Sequence, residues 1–359
     1  MPRIQSVDIL RGITITAMML VNNPGTWSAV YAPLLHAEWH GYTPTDLVFP
    51  FFVFIVGCSI AFAYRDKRPS GEAYRKITVR ALKLIGLGLF LGAFTLTFPF
   101  FKEWSSIRFP GVLQRIGVAF FFAALIALNV RSWRALVGII AALLFGYWLW
   151  LGYLPLPDGT APTYERAPNN WAMYLDKLIF GSHTWQPDYD PEGLPSTLPS
   201  VATALIGVLT GRMLVSHQTG KLRNLLVGGV ALIAAGHLWH LVFPINKALW
   251  SSSFVLVTAG WALLLLGIIY YLTDVKRYES TVANVFKMVG ANALILYFLS
   301  SLTAKIFGLT GLHGWLFNTL YAHDFLPLKF SSLLYGLSVA GFYVLLGVFL
   351  YRRKIFIRV

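Results

Sequence analysis

Hydrophobic residues in this chain run in long blocks broken by short polar stretches. Ten blocks are legible, at about residues 9–23, 45–64, 77–99, 109–130, 135–153, 196–216, 224–242, 250–272, 288–309 and 329–350. Each is close to the roughly 20 residues that an α-helix needs to cross about 30 Å of hydrocarbon. The pattern predicts an all-α, polytopic integral membrane protein of about ten transmembrane helices, with short loops and one longer segment at about 154–195. Six prolines in that segment, from Pro155 to Pro191, oppose a long helix and leave room for a short amphipathic one at Trp171 to Phe180. No internal repeat or linker divides the chain, so residues 1–359 read as a single transmembrane domain.

Composition narrows the class. Hydrophobic residues make up 57% and charged ones 12%, about half the charge of a soluble domain, and the mean hydropathy is +0.63. A soluble enzyme, a single-anchor protein and a disulfide scaffold are excluded. The first block, Ile9 to Val21, is flanked or entered by Asp8 and Arg11 and has no small-residue cleavage site after it, so it reads as a retained helix. The lone Cys58 lies in an apolar run and has no intrachain partner.

The 29 Lys and Arg against 15 Asp and Glu leave a net charge of +14. In a soluble protein that balance points to nucleic acid; here its placement points to a lipid bilayer, with no nucleic-acid partner. Alternate loops share a side, and the set at residues 3, 65–80, 131–134, 212–223, 276–287 and 352–358 holds 19 basic residues against 6 in the other set. The positive-inside rule then puts the N- and C-termini in the cytoplasm and the 24–44 and 154–195 segments outside, the latter as a periplasmic loop.

Candidate chemistry concentrates between the first two blocks, where Asn22, His36, Glu38, His40 and Asp46 lie on one short excursion. An aspartate at the start of an apolar span is costly without a partner, so Asp46 is either a functional carboxylate or the cap of the second helix, and both readings stand open. His36 has an imidazole suited to proton transfer or nucleophilic attack, against the plainer reading of a solvated loop histidine. No tight His spacing supports a metal there. His237 and His240 are three apart on a helix without an apparent third ligand, so no metal is expected.

Longer motifs carry a family resemblance. S-V-D-I-L-R-G from Ser6, L-V-N from Leu20, H-A-x-W-x-G from His36 and D-L-V-F-P from Asp46 resemble segments of the heparan-α-glucosaminide N-acetyltransferase family. So, in the same order, do R-F-P-G-V-L-Q-R-I-G from Arg108, Y-D-P-E-G from Tyr189, P-I-N-K-x-L-W-S from Pro244 and G-A-N-A-L-I-L-Y from Gly290. The resemblance implies a transmembrane acyltransferase, a compact bacterial relative in the inner membrane, that moves acetyl from cytoplasmic acetyl-CoA to the amine of a glucosamine-type sugar on the far side. The family's catalytic histidine falls on His36 and an active-site asparagine on Asn22. Independently of the resemblance, Asp46 is a candidate catalytic carboxylate that would orient and polarise His36. Members are often dimers, so a homodimer is a possible assembly that no motif here specifies. Some bacterial relatives are associated with N-acetylglucosamine use, which keeps open a transporter of N-acetylglucosamine or a related amino sugar.

For acetyl-CoA as co-substrate, Arg115, Gln114 and Lys83 are the candidates to line an inward channel. The 65–80 cluster is available to phosphates or to plain membrane anchoring, and Arg115 to a structural ion pair with a carboxylate such as Asp46. For the sugar acceptor, Tyr189, Asp190 and Glu192 offer carboxylates and a stacking face, with Trp171 and Trp185 near them and Trp39 and His40 beside His36; a structured lid is the plain alternative. Gly88 and Gly92 read as a close helix-packing pattern.

Overall fold

The structure is a computed structural model describing residues 4–278 and 280–357; Arg3 and Arg358 of the basic set lie outside the described residues. Among the described residues the chain forms thirteen α-helices and no strand beyond a single bridge between Phe94 and Phe101. In chain order these are α1 (Gln5–Val21), α2 (Pro44–Tyr64), α3 (Gly71–Ala93), α4 (Val112–Asn129), α5 (Trp133–Tyr153), α6 (Trp171–Phe180) and α7 (Leu194–Val215). There follow α8 (Lys221–His240), α9 (Ser252–Tyr270), α10 (Thr281–Gly290), α11 (Ala293–Leu309), α12 (Leu312–Leu320) and α13 (Leu328–Arg352).

Seven of the described helices, α2, α4, α5, α7, α8, α9 with its π-helical extension to Val275, and α13, are long and apolar enough to cross a bilayer. An eighth crossing requires α10 and α11 together, and these meet at 77°. The other two expected spans are helices that fall short in different ways. α1 has 17 residues, about 26 Å of helix, and α3 carries Glu72, Arg75, Lys76, Arg80 and Lys83. The break after Gly290 is stabilised by close contact and by the chain's end. A Cβ on Gly290 would lie 2.1 Å from the Asp8 carbonyl oxygen, while the Asn292 amide donates to the Ile355 carbonyl and accepts from the Ile357 N–H.

α2, α7 and α9 are buried over most of their length, whereas α5, α8 and α13 expose most of theirs. Glycine sets a close crossing of two buried helices: a Cβ on Gly57 of α2 would meet the Ala204 carbonyl oxygen at 1.9 Å, and one on Gly207 of α7 the Phe54 carbonyl oxygen at 2.0 Å. Small residues bring the two backbones together where hydrocarbon surroundings give helices no hydrophobic drive to associate.

Hydrogen bonds sort the helix ends into two groups. At one end the Arg131 guanidinium donates to the Arg65 and Lys67 carbonyls, Arg212 to those of Ala127 and Val130, and Asp274 accepts from the Gln5 and Ser6 N–H groups. This is the basic end. At the opposite end Gly25 N–H donates to the Ser332 carbonyl, Gly41 N–H to that of Ile245, and Arg115 reaches Gly193. α2, α4, α7 and α9 all begin at this second end, so four helix N-termini, each a partial positive charge, border the region where the polar residues gather.

Candidate active site

The site is built on the start of α2. Thr43 and Asp46 form a reciprocal capping box, an arrangement that satisfies orphan N–H groups of the first turn. Asp46 Oδ2 accepts from the N–H of Thr43 at 2.9 Å, the N–H of Ala37 at 3.0 Å and the Thr43 hydroxyl at 3.2 Å. Its Oδ1 lies 2.6 Å from His36 Nδ1. The two readings left open for Asp46 are therefore one geometry: a fully buried carboxylate caps the helix with one oxygen and holds the imidazole with the other. With Nδ1–H donating to Asp46, the lone pair of Nε2 is left for chemistry, and His36 is half-exposed at the mouth.

Lys247, in the turn before α9, completes the group. Its Nζ stands 2.9 Å from His36 Nδ1, 3.1 Å from Nε2 and 3.4 Å from Asp46 Oδ1. Nearly equal reach to both ring nitrogens puts the ammonium beside the ring rather than along one lone pair. Burial pulls the Lys247 ammonium below its ordinary pKa, against the opposing pull of Asp46 and Glu192. The turn itself is ordered by Asn246, whose side chain accepts from Leu249 N–H, and by Ser251, which accepts from Asn246 N–H.

Beside this group lies an ionic cluster. Arg108 Nε donates to Asp190 Oδ2 at 2.7 Å and its Nη2 to Asp190 Oδ1 at 2.5 Å and to Glu192. Asp190 also accepts from the N–H groups of Trp185 and Glu192. Burial would raise the Glu192 carboxyl, but Arg108, then Arg115 and Lys247, hold it below its ordinary range. The carboxylates expected to meet a sugar's ammonium are thus already engaged within the protein. Arg115, fully buried, donates to the Gly193 carbonyl at 3.0 Å and to Ser196, and its guanidinium lies 5.0 Å over the Trp250 ring.

The 154–195 segment closes over one flank. His40 Nε2 lies 3.1 Å from Glu165 Oε1, and Trp39 Nε1 donates to the Tyr164 carbonyl and packs edge-on against Tyr189, whose ring lies under Arg166. Trp171 is buried, bonded to the Leu154 carbonyl, so it braces this segment and presents no stacking face. Trp185 is exposed.

Other expected residues lie elsewhere. Asn22 is the exposed C-cap of α1, and among the described residues its side chain makes no hydrogen bond to His36, Asp46 or Lys247; the neighbouring Asn23 is buried and donates to the Met19 carbonyl. Gln114 bonds to the Phe109 carbonyl and fills the space left by Gly88 and Gly111. Lys83 is exposed on α3. Arg115 and Gln114 sit at the end opposite the basic loops, and Arg115 bonds Gly193 and Ser196 rather than Asp46. His237 and His240 point to different partners, the Ile233 carbonyl and the Ile245 N–H. Lys247 and Arg108 join these groups without having been among the expected site residues; in the sequence the P-I-N-K and R-F-P-G motifs contain them.

Asp176 of α6 supplies a pH test of this region. Its Oδ1 accepts from Leu194 N–H at 2.8 Å, and burial, reinforced by Asp190, pushes its carboxyl from 3.8 up to about 7. The folded state then holds a proton that the unfolded chain has lost, so stability falls as pH rises through that window and levels off above it. Asp176→Asn, which keeps the acceptor oxygen, should gain on the wild type by on the order of 2 kcal/mol between pH 4 and 7. Melting temperatures of both proteins in detergent across that range check it; parallel curves would show that the carboxyl ionises freely.

A family model described as the catalytic part of heparan-alpha-glucosaminide N-acetyltransferase matches residues 3–239, most of the chain, and covers His36, Asp46, Arg108, Arg115, Asp190 and Glu192. Heparan-alpha-glucosaminide N-acetyltransferase of Homo sapiens is 29% identical over 99% of this chain, and that of Mus musculus 27% identical over the same share. The chain spans 60% of the length of each of these curated relatives. The motifs running from Ser6 to Tyr297, the extent of the family match and the full-length similarity agree: the chain belongs to the heparan-α-glucosaminide N-acetyltransferase family.

Proposed function

We propose that this protein is a transmembrane acetyltransferase that takes acetyl from cytoplasmic acetyl-CoA and delivers it to the amine of a glucosamine-type sugar on the periplasmic face of a bacterial inner membrane. In this topology the chain crosses ten times, counting α1, α3 and the bent α10–α11 pair, with both termini in the cytoplasm and the His36 group at the opposite face. The observation that carries the reading is the His36–Asp46–Lys247 group: a buried carboxylate orients an imidazole whose second nitrogen is open beside an ammonium.

The donor's phosphates belong at the basic end. A cavity of about 830 Å³ there is lined by Lys221, Arg277 and Lys287, and a smaller one of about 250 Å³ by Arg65, Arg131 and Arg212. Along α2, Arg65 and Asp46 are ~28 Å apart, more than an extended pantetheine arm spans, so the donor's head must itself enter between the helices for the thioester to reach His36. Two routes use the same residues. In one, Nε2 attacks the thioester carbonyl, the C–S bond breaks to release CoA, and the acetyl-imidazole is then attacked by the amine. In the other, Nε2 takes a proton from the amine as the amine nitrogen attacks the thioester directly, the C–S bond breaks, and the departing CoA thiolate takes that proton. In both, Asp46 stabilises the charged imidazole and Lys247 is placed to donate to the carbonyl oxygen as negative charge grows there.

Transport of the sugar would call for a broken helix near the membrane midplane. The break here lies against Asp8, in the first turn of α1 and so at the basic end. The test is label transfer: purified protein in nanodiscs, given radiolabelled acetyl-CoA and glucosamine, should release labelled N-acetylglucosamine. Absence of transfer and of CoA binding, together with sugar uptake by proteoliposomes, would replace this reading with transport.

A further inference from the structure

A third cavity, of about 550 Å³, opens between the last third of α3, the first turns of α4 and the start of α7. Its walls are hydrocarbon, with Leu89, Phe90, Phe109 and Val118 among them. Gln114, Arg115 and Glu192 also line it, and Arg115 Nε and Nη1 are buried with no hydrogen-bond partner among the described residues. Two orphaned guanidinium donors beside an apolar hollow are costly unless an oxygen-rich group completes them.

The surroundings of the mouth indicate where a ligand would enter. Phe98, Phe101 and Trp104, on the segment that follows α3, are exposed by 86%, 52% and 71%, and Leu178 and Ile179 of α6 are exposed as well. Aromatic side chains exposed at the ends of spanning helices sit at the level of lipid headgroups. The cavity therefore meets the bilayer interface rather than open water. At its inner side Glu192 is within the electrostatic reach of Lys247, the lysine beside His36.

We propose that this cavity holds the hydrocarbon chain of a membrane-anchored acceptor. The amino sugar then comes to His36 as the head of an amphiphile from the outer leaflet, with the oxygens that join head to chain accepting from Arg115. This rests on the acetyltransferase reading and narrows its acceptor to a lipid-linked amino sugar. A free sugar has no surface to set against these walls, whereas each buried methylene of a chain adds to binding.

The test uses decyl β-glucosaminide and the same compound with a diazirine at the chain terminus, on full-length protein in nanodiscs. Photolysis should label peptides 85–93 and 109–118, and excess decyl glucosaminide should suppress that label far better than decyl maltoside. With acetyl-CoA present, KM for the decyl acceptor should be at least about tenfold below that for glucosamine. Val118→Trp, which fills the cavity, should narrow that ratio, and Leu89→Trp serves if the first variant does not fold. Label spread over all lipid-facing helices, label joining two copies of the chain, or a KM ratio near one would overturn the proposal. Loss of transfer to every amino sugar would instead overturn the enzyme reading, and the labelling pattern would still decide what the cavity binds.

Discussion

Replacing His36 by alanine is expected to lower acetyl transfer by about 10³-fold or more while the helical bundle stays assembled. The side chain is half-exposed, its Nδ1 is hydrogen-bonded to Asp46, and the Lys247 ammonium lies beside its ring. Removing it leaves the three other hydrogen bonds to Asp46 Oδ2, and hence the cap of α2, in place. Asp46 and Lys247 also keep each other's charge company at 3.4 Å, so no ion is left buried alone. Label transfer measured beside circular dichroism and gel filtration separates lost chemistry from lost fold. Full transfer by a folded His36→Ala protein would remove His36 from the mechanism. The same protein pair distinguishes the two routes: acetyl-CoA without acceptor should leave label on wild-type protein, and none on the variant, if an acetyl-imidazole forms.

Much of this was legible in the chain because the relevant physics is local. Block length predicts helices whatever their packing, and α2, α4, α5, α7, α8, α9 and α13 fall where the hydrophobic pattern put them. α3 is a different case, since a block that starts just after Arg75 and Lys76 and contains Arg80 and Lys83 depends on which faces those side chains take. The 77° bend after Gly290 depends on backbone contact with α1, at the other end of the sequence, which no local window contains.

The site divides in the same way. Thr43 and Asp46 three residues apart are a helix-start pattern, and His36 stands ten residues from Asp46, within reach of one turn of loop. Lys247 is 211 residues from His36 and comes beside it only because α2 and α9 both start at the same end of the bundle. Arg115 is where residue type and topology point apart. A buried cation invites a phosphate, yet α4 begins at the end opposite the basic loops, so a residue in its first turn lies far from the donor head proposed there. Topology, followed through, outweighs residue type here.

Asp46→Asn should be nearly as damaging as loss of the histidine, and for a reason that alanine would obscure. Asparagine has one acceptor and one donor where aspartate has two acceptors. The N–H groups of Ala37 and Thr43 both demand an acceptor at the Oδ2 position, so the amide oxygen settles there and the NH₂ faces His36 Nδ1. That nitrogen must then accept, the ring proton moves to Nε2, and the lone pair needed for attack or proton abstraction is gone. The negative charge that would stabilise an imidazolium and partner Lys247 is lost in the same step. A fall in kcat of about 10³–10⁴-fold is expected, with KM for acetyl-CoA little changed, because the proposed site for the donor's phosphates lies toward the basic end. Asp46→Ala should be inactive too but also less stable by about 1 kcal/mol, since it removes the cap. Comparing the melting temperatures and rates of the two variants checks the assignment: an active Asp46→Asn protein would mean that the carboxylate only caps α2 and that another group orients His36.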